Sequence, residues 1–272
     1  DGNVSATGDG SINSPFLTLT EAITASNVSI KLSANRWWAK RNRIFVMGDG
    51  ISEDLTVIPE KCDVIGVGYD IYPFPRIIGN HVIAAIATSG AKGCRFINMG
   101  WICDAAGPLF TIPAICHGIQ FLGGLMQPRS AGSTIAISLT EIAGVVIDGV
   151  KIDYNAGGGI FAEGIKIEGT QGHEIAIKNC DIYATEGIHV TATATTGGII
   201  DNNNIYATAL TINDESLKFR VTRNQLISAA AVSVTAGGLG IVCNEHLASG
   251  NKIGGTNGAH NADYPFVVAL TS

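Results

Sequence analysis

Carboxylates, amides and phenols are the side chains of this sequence whose spacing bears on chemistry. Glu163 and Glu186 precede two similar turns, AEGIKI and TEGIHV. If those turns are equivalent, the two carboxyls lie about one strand spacing (~4.8 Å) apart, where like charge raises one pKa and makes an acid/base pair. The plainer reading has both as turn residues diverging into water. Asp148, Lys178 and Asp201 make a second outward set, with His117 before it and Thr222 after, and Lys151 with Asp181 makes a third. Opposite charges alternate along both sets, which suits salt-bridged ladders on a solvated wall as well as it suits catalysis. Asp153, Tyr183 and Tyr206, with Asp181 and Asn204 beside them, offer flat phenol faces next to hydrogen-bonding groups, as a sugar ring requires. Contact between subunits and plain surface stay open for that column. The candidate catalytic residues are therefore Glu163, Glu186, Asp181 and Asp201, and the candidate substrate contacts are Asp153, Tyr183, Tyr206 and Asn204.

Other chemistries find less. Six cysteines (Cys62, Cys94, Cys103, Cys116, Cys180 and Cys243) contain no CxxC, and none of the six histidines pairs at ligand spacing, so neither a metal nor a cofactor is expected. No GxSxG, HExxH or phosphate loop occurs. With 17 basic against 23 acidic residues and no basic cluster denser than Arg36, Lys40, Arg41 and Arg43, nucleic acid is not an expected partner. Charged residues make up only 15% of the 272, below the usual ~25%, and the chain is rich in β-branched apolar residues and in glycine, so disorder is excluded. No apolar run reaches the ~18 residues of a membrane span, and the opening DGNVSATGDGS has no signal core, so a soluble, trimmed chain is expected.

What would position these residues is a repeat. GVKIDYN (149–155), NCDIYAT (179–185), NNNIYAT (202–208), RNQLISA (223–229) and NEHLASG (244–250) align on Ile152, Ile182, Ile205, Leu226 and Leu247. A second register runs through Ile167, Val190, Ile212 and Val234. Short alternating strands at a period of ~20–30 residues, divided by Gly, Asn and Thr, are what one coil of a parallel β-solenoid needs. The LxxLxLxxN pattern of leucine-rich repeats is absent. Extended backwards through Phe121, Phe96 and Val64, the first register predicts roughly eight coils, a rod ~35–40 Å long. Cys62, Cys94, Ile119, Val150 and Cys180 fall in one inward column, followed by Asn203 and Asn224, and the cysteines read as small buried hydrophobes. Asn179, Asn202 and Asn244 share a corner with Gly149, because Asn tolerates the left-handed bend and stacked amides bond to each other.

Three parts follow: residues 1–42 as an N-terminal cap, 43–250 as the solenoid, and 251–272 as a C-terminal cap in which YPFVVAL forms a last strand or flap. In the first part, SPFLTLTEAITAS carries Pro15, a Thr18-to-Glu21 capping box and an apolar set at Phe16, Leu19, Ala22 and Ile23, which predicts a short amphipathic helix. Asn3-Val-Ser and Asn27-Val-Ser match the glycosylation pattern, a motif short enough to arise by chance.

TGDGSINSPFLTLTEAI, RIFVMGDGISEDLTV and VIGVG resemble the opening of right-handed parallel β-helix proteins of the pectin-lyase-like superfamily, closest to bacteriophage tailspike and virion decoration members. Ile51, where an aromatic is frequent, and the longer stretch 27–42 depart from that pattern. The resemblance implies an all-β, single-stranded right-handed parallel β-helix. It leaves activity open, because fold does not select function. The lyase-type Asp/Arg arrangement of the superfamily is not recognisable here. A structural or attachment component of a virion, self-associating as a homotrimer and located extracellularly or on the virion surface, is the leading expectation. A polysaccharide depolymerase, lyase or hydrolase, is the alternative, and a bacterial adhesin shares the features of the first. The mean hydropathy of +0.28 suits a wall buried against copies of itself or a partner.

Overall fold

Short strands bury one apolar row on each face and have no stability singly, so they must stack on neighbours in register. The computed structural model describes residues 8–31, 41–48, 50–57, 59–68, 74–83, 93–113, 116–129, 132–155, 157, 159–169, 174–191, 197–214, 219–228, 241–242, 248–249 and 252–255, and among them the chain is a parallel β-solenoid with three faces. The first face stacks Asn42–Val46, Cys62–Gly66, Arg95–Cys103, Gln120–Pro128, Val146–Asp148, Ile175–Lys178, Gly198–Asp201, Phe219–Thr222 and Ala248–Ser249. Its inward row is Val64, Phe96, Phe121, Ile147, Ile177, Ile200 and Val221. On the second face the inward row is Ile77, Trp101, Met126, Ile152, Ile182, Ile205 and Leu226. The third runs through Ile137, Ile165, Ile188 and Ile212. About six full turns are present, slightly fewer than the eight expected, with partial turns extending the first two faces.

From the coil of Phe96 and Trp101 onward, the inward rows of the first two faces lie five residues apart, as in Ile147 and Ile152, Ile177 and Ile182, Ile200 and Ile205. Between them the chain bends through one left-handed residue, Asn98, Gly123, Gly149, Asn179, Asn202 or Arg223, with φ of 52 to 68°. Gly and Asn adopt that conformation readily and a bulky residue does not. The expected amide ladder forms there, Asn202 Nδ2 donating to Asn179 Oδ1 at 2.7 Å and Asn179 Nδ2 to Asp148 Oδ1 at 2.7 Å. Arg223 is the exception, held in place by hydrogen bonds to Asp201.

The same five-residue offset explains where sequence register slips. Phe121, Phe96 and Val64 belong to the first face, whereas Met126, Trp101 and Ile77 precede Ile152 on the second. Cys180 accordingly shares a column with Val150, Asn203 and Asn224, not with Cys62, Cys94 and Ile119. Leu226 pairs with Ile253 instead of Leu247, and Val190 with Asp214 while Ile188 takes Ile212. A slip of two residues keeps side chains on the same side of a strand, so the apolar pattern cannot detect it. Val234, Cys243, Asn244, Leu247 and the flap at YPFVVAL lie outside the described residues.

Inside, Phe96 stacks on Phe121 at 5.3 Å, and Trp101 and Phe110 meet them edge-on or tilted, before isoleucine takes over in later coils. Five cysteines are buried as free thiols, as their reading as small hydrophobes predicts. The expected helix forms over Leu19–Lys31, longer than its apolar set suggests, and buries Leu19, Ile23, Ser26, Asn27 and Ile30 along one stripe. Its capping box is present, the Glu21 backbone N–H donating to Thr18 Oγ1 at 3.2 Å and Thr18 N–H to Glu21 Oε2 at 3.2 Å. Glu53, from the next segment, accepts from the N–H groups of Leu19 and Thr20 at 2.7 and 3.1 Å, tying the helix to the first coil. Asn27 is buried, its Oδ1 accepting from the Glu60 N–H at 2.9 Å, which uses its amide in folding the cap.

Candidate functional site

Two outward features deserve chemical attention, one on the second face and one at the corner where the second face turns into the third. On the second face, Asp181 pairs with Asn204 and Tyr183 with Tyr206 in strand register. The Tyr183 and Tyr206 ring centroids are 6.0 Å apart, tilted by 36°, and Tyr154 meets Tyr183 edge-on at 5.8 Å. Tyr154 and Tyr206 are 55% and 45% exposed, so three phenols in consecutive coils form one wet aromatic row. Asp153 lies at its start, accepting from the Tyr154 N–H at 2.9 Å and pairing with Lys151 Nζ at 2.7 Å, and this hydrogen bond holds the lysine above its ordinary pKa. Gln127 Nε2 donates to the Tyr154 carbonyl at 3.1 Å, fixing the loop that carries the first ring.

At the corner, Glu163 and Glu186 are register partners in adjacent coils, as the two similar turns predict. Gly164 and Gly187 make this corner tight: a Cβ on Gly164 would stand 2.5 Å from the Gly187 carbonyl oxygen, and one on Gly187 2.4 Å from that of Thr211. Because Gly187 and Ile188 both turn inward at the bend, Glu186 and His189 point out on the same side. His189 Nδ1 lies 2.7 Å from Glu163 Oε1 and 3.8 Å from Glu186 Oε2. The three side chains keep only 19%, 20% and 16% of their surface, in the order Glu163, Glu186, His189. Their donor atoms all fall within 4.8 Å of one another. Lys166, in register with His189, directs its ammonium to Glu168 at 3.2 Å.

The other candidates are not brought to this corner. Asp201 stands on the first face, enclosed, with Arg223 Nε at 2.9 Å and Thr222 Oγ1 at 2.7 Å. The Arg223 guanidinium, then burial working against it and the Thr222 hydroxyl, leave the carboxyl below its usual range, so it is a structural anion. Asp148 does share a column with Lys178, Asp201 and Thr222, but Leu122 precedes it there, while His117 accepts from the Ala143 N–H at 3.3 Å in another row. Asp148 turns to the corner amide of Asn179, and Lys151 to Asp153, so neither ladder forms as cross-coil salt bridges between these register partners.

Sequence reasoning missed Tyr154 and His189. Tyr154 directly follows Asp153, one step out of the column that the strand register defines, and reaches Tyr183 only because the chain leaves the strand there. His189 and Glu186 are three residues apart, a spacing that puts side chains on opposite sides of a regular strand. The signal was the EG pair repeated in both turns, since Gly at a corner resets the alternation. Comparison with protein-family models, with curated proteins and with solved structures gives no match to this chain.

Proposed function

We propose that the chain is a non-catalytic attachment β-solenoid that holds glycan along its second face and belongs to a virion or cell surface. The row of Tyr154, Tyr183 and Tyr206 carries this reading. Each phenol presents an apolar ring face and a hydroxyl, and Asp153, Asp181 and Asn204 add acceptors and donors for sugar hydroxyls beside it. A linear polysaccharide lying along the rod axis would meet one ring per coil. The setting as capsid decoration or tailspike rests on the resemblance of the N-terminal motifs to pectin-lyase-like β-helices. Self-association as a homotrimer draws support from an outward row on the first face, Phe45, Ile65, Ile97 and Leu122, that is apolar over four coils before Asp148, Lys178 and Asp201 replace it. A second copy covering the apolar half would leave Asp148 and Lys178 in water.

A panel of bacterial capsular polysaccharides and pectins, immobilised for binding measurements, tests the reading. At least one glycan binds, Tyr183→Ala and Tyr206→Ala each weaken it about tenfold, the worth of one lost stacking contact of ~1–1.5 kcal/mol, and no reducing ends or unsaturated uronides are released. Failure of every glycan to bind overturns it. The depolymerase reading is favoured by one observation, the register pairing of Glu163 with Glu186. Turnover that disappears in Glu186→Ala or Asp181→Ala would put that reading first.

A further inference from the structure

Glu163, Glu186 and His189 form a mixed oxygen and nitrogen donor set on two adjacent coils, and we infer that it binds a divalent first-row transition ion of the zinc type. This stands apart from the glycan reading and uses none of the tyrosines. Donor atoms around a tetrahedral ion at ~2.0–2.2 Å lie roughly 3.3–3.5 Å from one another. The observed 2.7 Å from His189 Nδ1 to Glu163 Oε1 and 3.8 Å to Glu186 Oε2 lie on either side of that edge, and all three donors lie within 4.8 Å of one another, so side-chain rotation that moves the donors by roughly an ångström suffices.

The protein alone leaves this cluster poorly resolved. Two carboxylates meet at one coil spacing, and one imidazole nitrogen faces both but sits within hydrogen-bond distance only of Glu163. Glu186 Oε1 is fully enclosed and takes no hydrogen bond from any described residue. A buried acceptor of that kind is costly unless something donates to it or coordinates it. Lys166, whose strand position adjoins His189, is turned to Glu168 and does not balance the pair. A dication among Glu163 Oε1, Glu186 Oε2 and His189 Nδ1 would neutralise both carboxylates, including the one whose other oxygen is enclosed, and engage the imidazole, with the remaining exposure leaving a position for water.

The donor set also selects the ion. Imidazole nitrogen favours zinc, cobalt or nickel over calcium, which takes six to eight oxygens, and over magnesium, which keeps its own waters. The Gly164 and Gly187 corner holds both glutamates on paired strands, so the ligands are presented by backbone and not by a loop.

Titration of the full chain with zinc chloride, followed by calorimetry and by thermal unfolding, tests the inference. We expect one zinc per chain with a micromolar dissociation constant and a raised melting temperature, with calcium and magnesium at least tenfold weaker. Cobalt in the same site gives visible d–d bands without the near-ultraviolet band of a thiolate, which separates it from binding at a cysteine. Glu186→Gln separates a metal ligand from a structural residue: the metal-free variant unfolds at or above the wild-type temperature, and its zinc affinity falls at least tenfold. Glu163→Gln lowers zinc affinity to a similar degree. Absence of binding by zinc, cobalt and nickel to the folded wild type overturns the inference, as does zinc binding unchanged in the Glu163→Gln, Glu186→Gln double variant.

Discussion

Acidification should unfold this rod through His81. The imidazole is fully buried against Trp101 at 5.0 Å and Phe110 at 4.8 Å, and its Nδ1 accepts from the Leu55 N–H at 3.1 Å. That bond places the ring proton on Nε2, which is buried and has no hydrogen-bond partner among the described residues. Burial pushes its pKa down to about 4 from 6.5, with the Asp54 carboxylate pulling weakly the other way. Between those two values the unfolded chain takes up a proton and the folded chain does not, so stability is whole above pH 6.5 and is lost as pH falls toward 4. A depression of about 2.5 pKa units corresponds to roughly 3 kcal/mol, a large share of the 5–15 kcal/mol of a typical domain. Urea unfolding at pH 7, 5.5 and 4 in wild type and His81→Phe isolates it. The variant starts about 1–2 kcal/mol less stable at pH 7, because the Leu55 N–H loses its acceptor, and then loses about 3 kcal/mol less than wild type on the way to pH 4. Parallel pH profiles for the two proteins, or a His81 resonance titrating near 6.5, would refute the reasoning.

Asn203 is buried, accepting from the Cys180 N–H at 3.0 Å and donating to the Ile177 carbonyl and Asn224 Oδ1 at 3.0 and 2.9 Å, so Asn203→Ala should cost about 2–4 kcal/mol in urea unfolding by stranding those groups. Gly187→Ala drives a Cβ into the Thr211 carbonyl and Ile205 Cγ2, both at 2.4 Å, and should destabilise by about 2 kcal/mol or more, read as a drop in melting temperature. Burial raises the thiol pKa of Cys62 to about 11 and of Cys180 to about 12, and pushes Cys94 up further, so iodoacetamide at pH 8 should label none of the three in the native protein and all in urea, by peptide mass mapping.

The solenoid is legible in the sequence because each coil repeats the same inward isoleucine and the same left-handed corner, and both leave a mark on residue type. Ile152, Ile182, Ile205 and Leu226 stack as their spacing requires, and Asn179, Asn202 and Gly149 share the bend. Register between faces is not legible to the same degree, because two faces with the same alternation and a fixed offset look alike in one dimension, which is how Phe121 is mistaken for a predecessor of Ile152. The glutamate pair was legible through its repeated Glu-Gly turn. Its histidine was not, because the bend that aims His189 at Glu163 is a property of the folded corner. Asp201 carried the right charge in the right period, yet an arginine 22 residues later absorbs it, and only the stacking of coils brings them together.

Proton NMR of the chain with ring-labelled tyrosine, before and after addition of a bound oligosaccharide, tests most directly whether stacked coils build a sugar-holding row. Cross-peaks should link Tyr154 to Tyr183 and Tyr183 to Tyr206, and those three ring systems should shift together as the sugar is added. Missing cross-peaks, or a sugar that binds while these rings stay unmoved, would contradict the account.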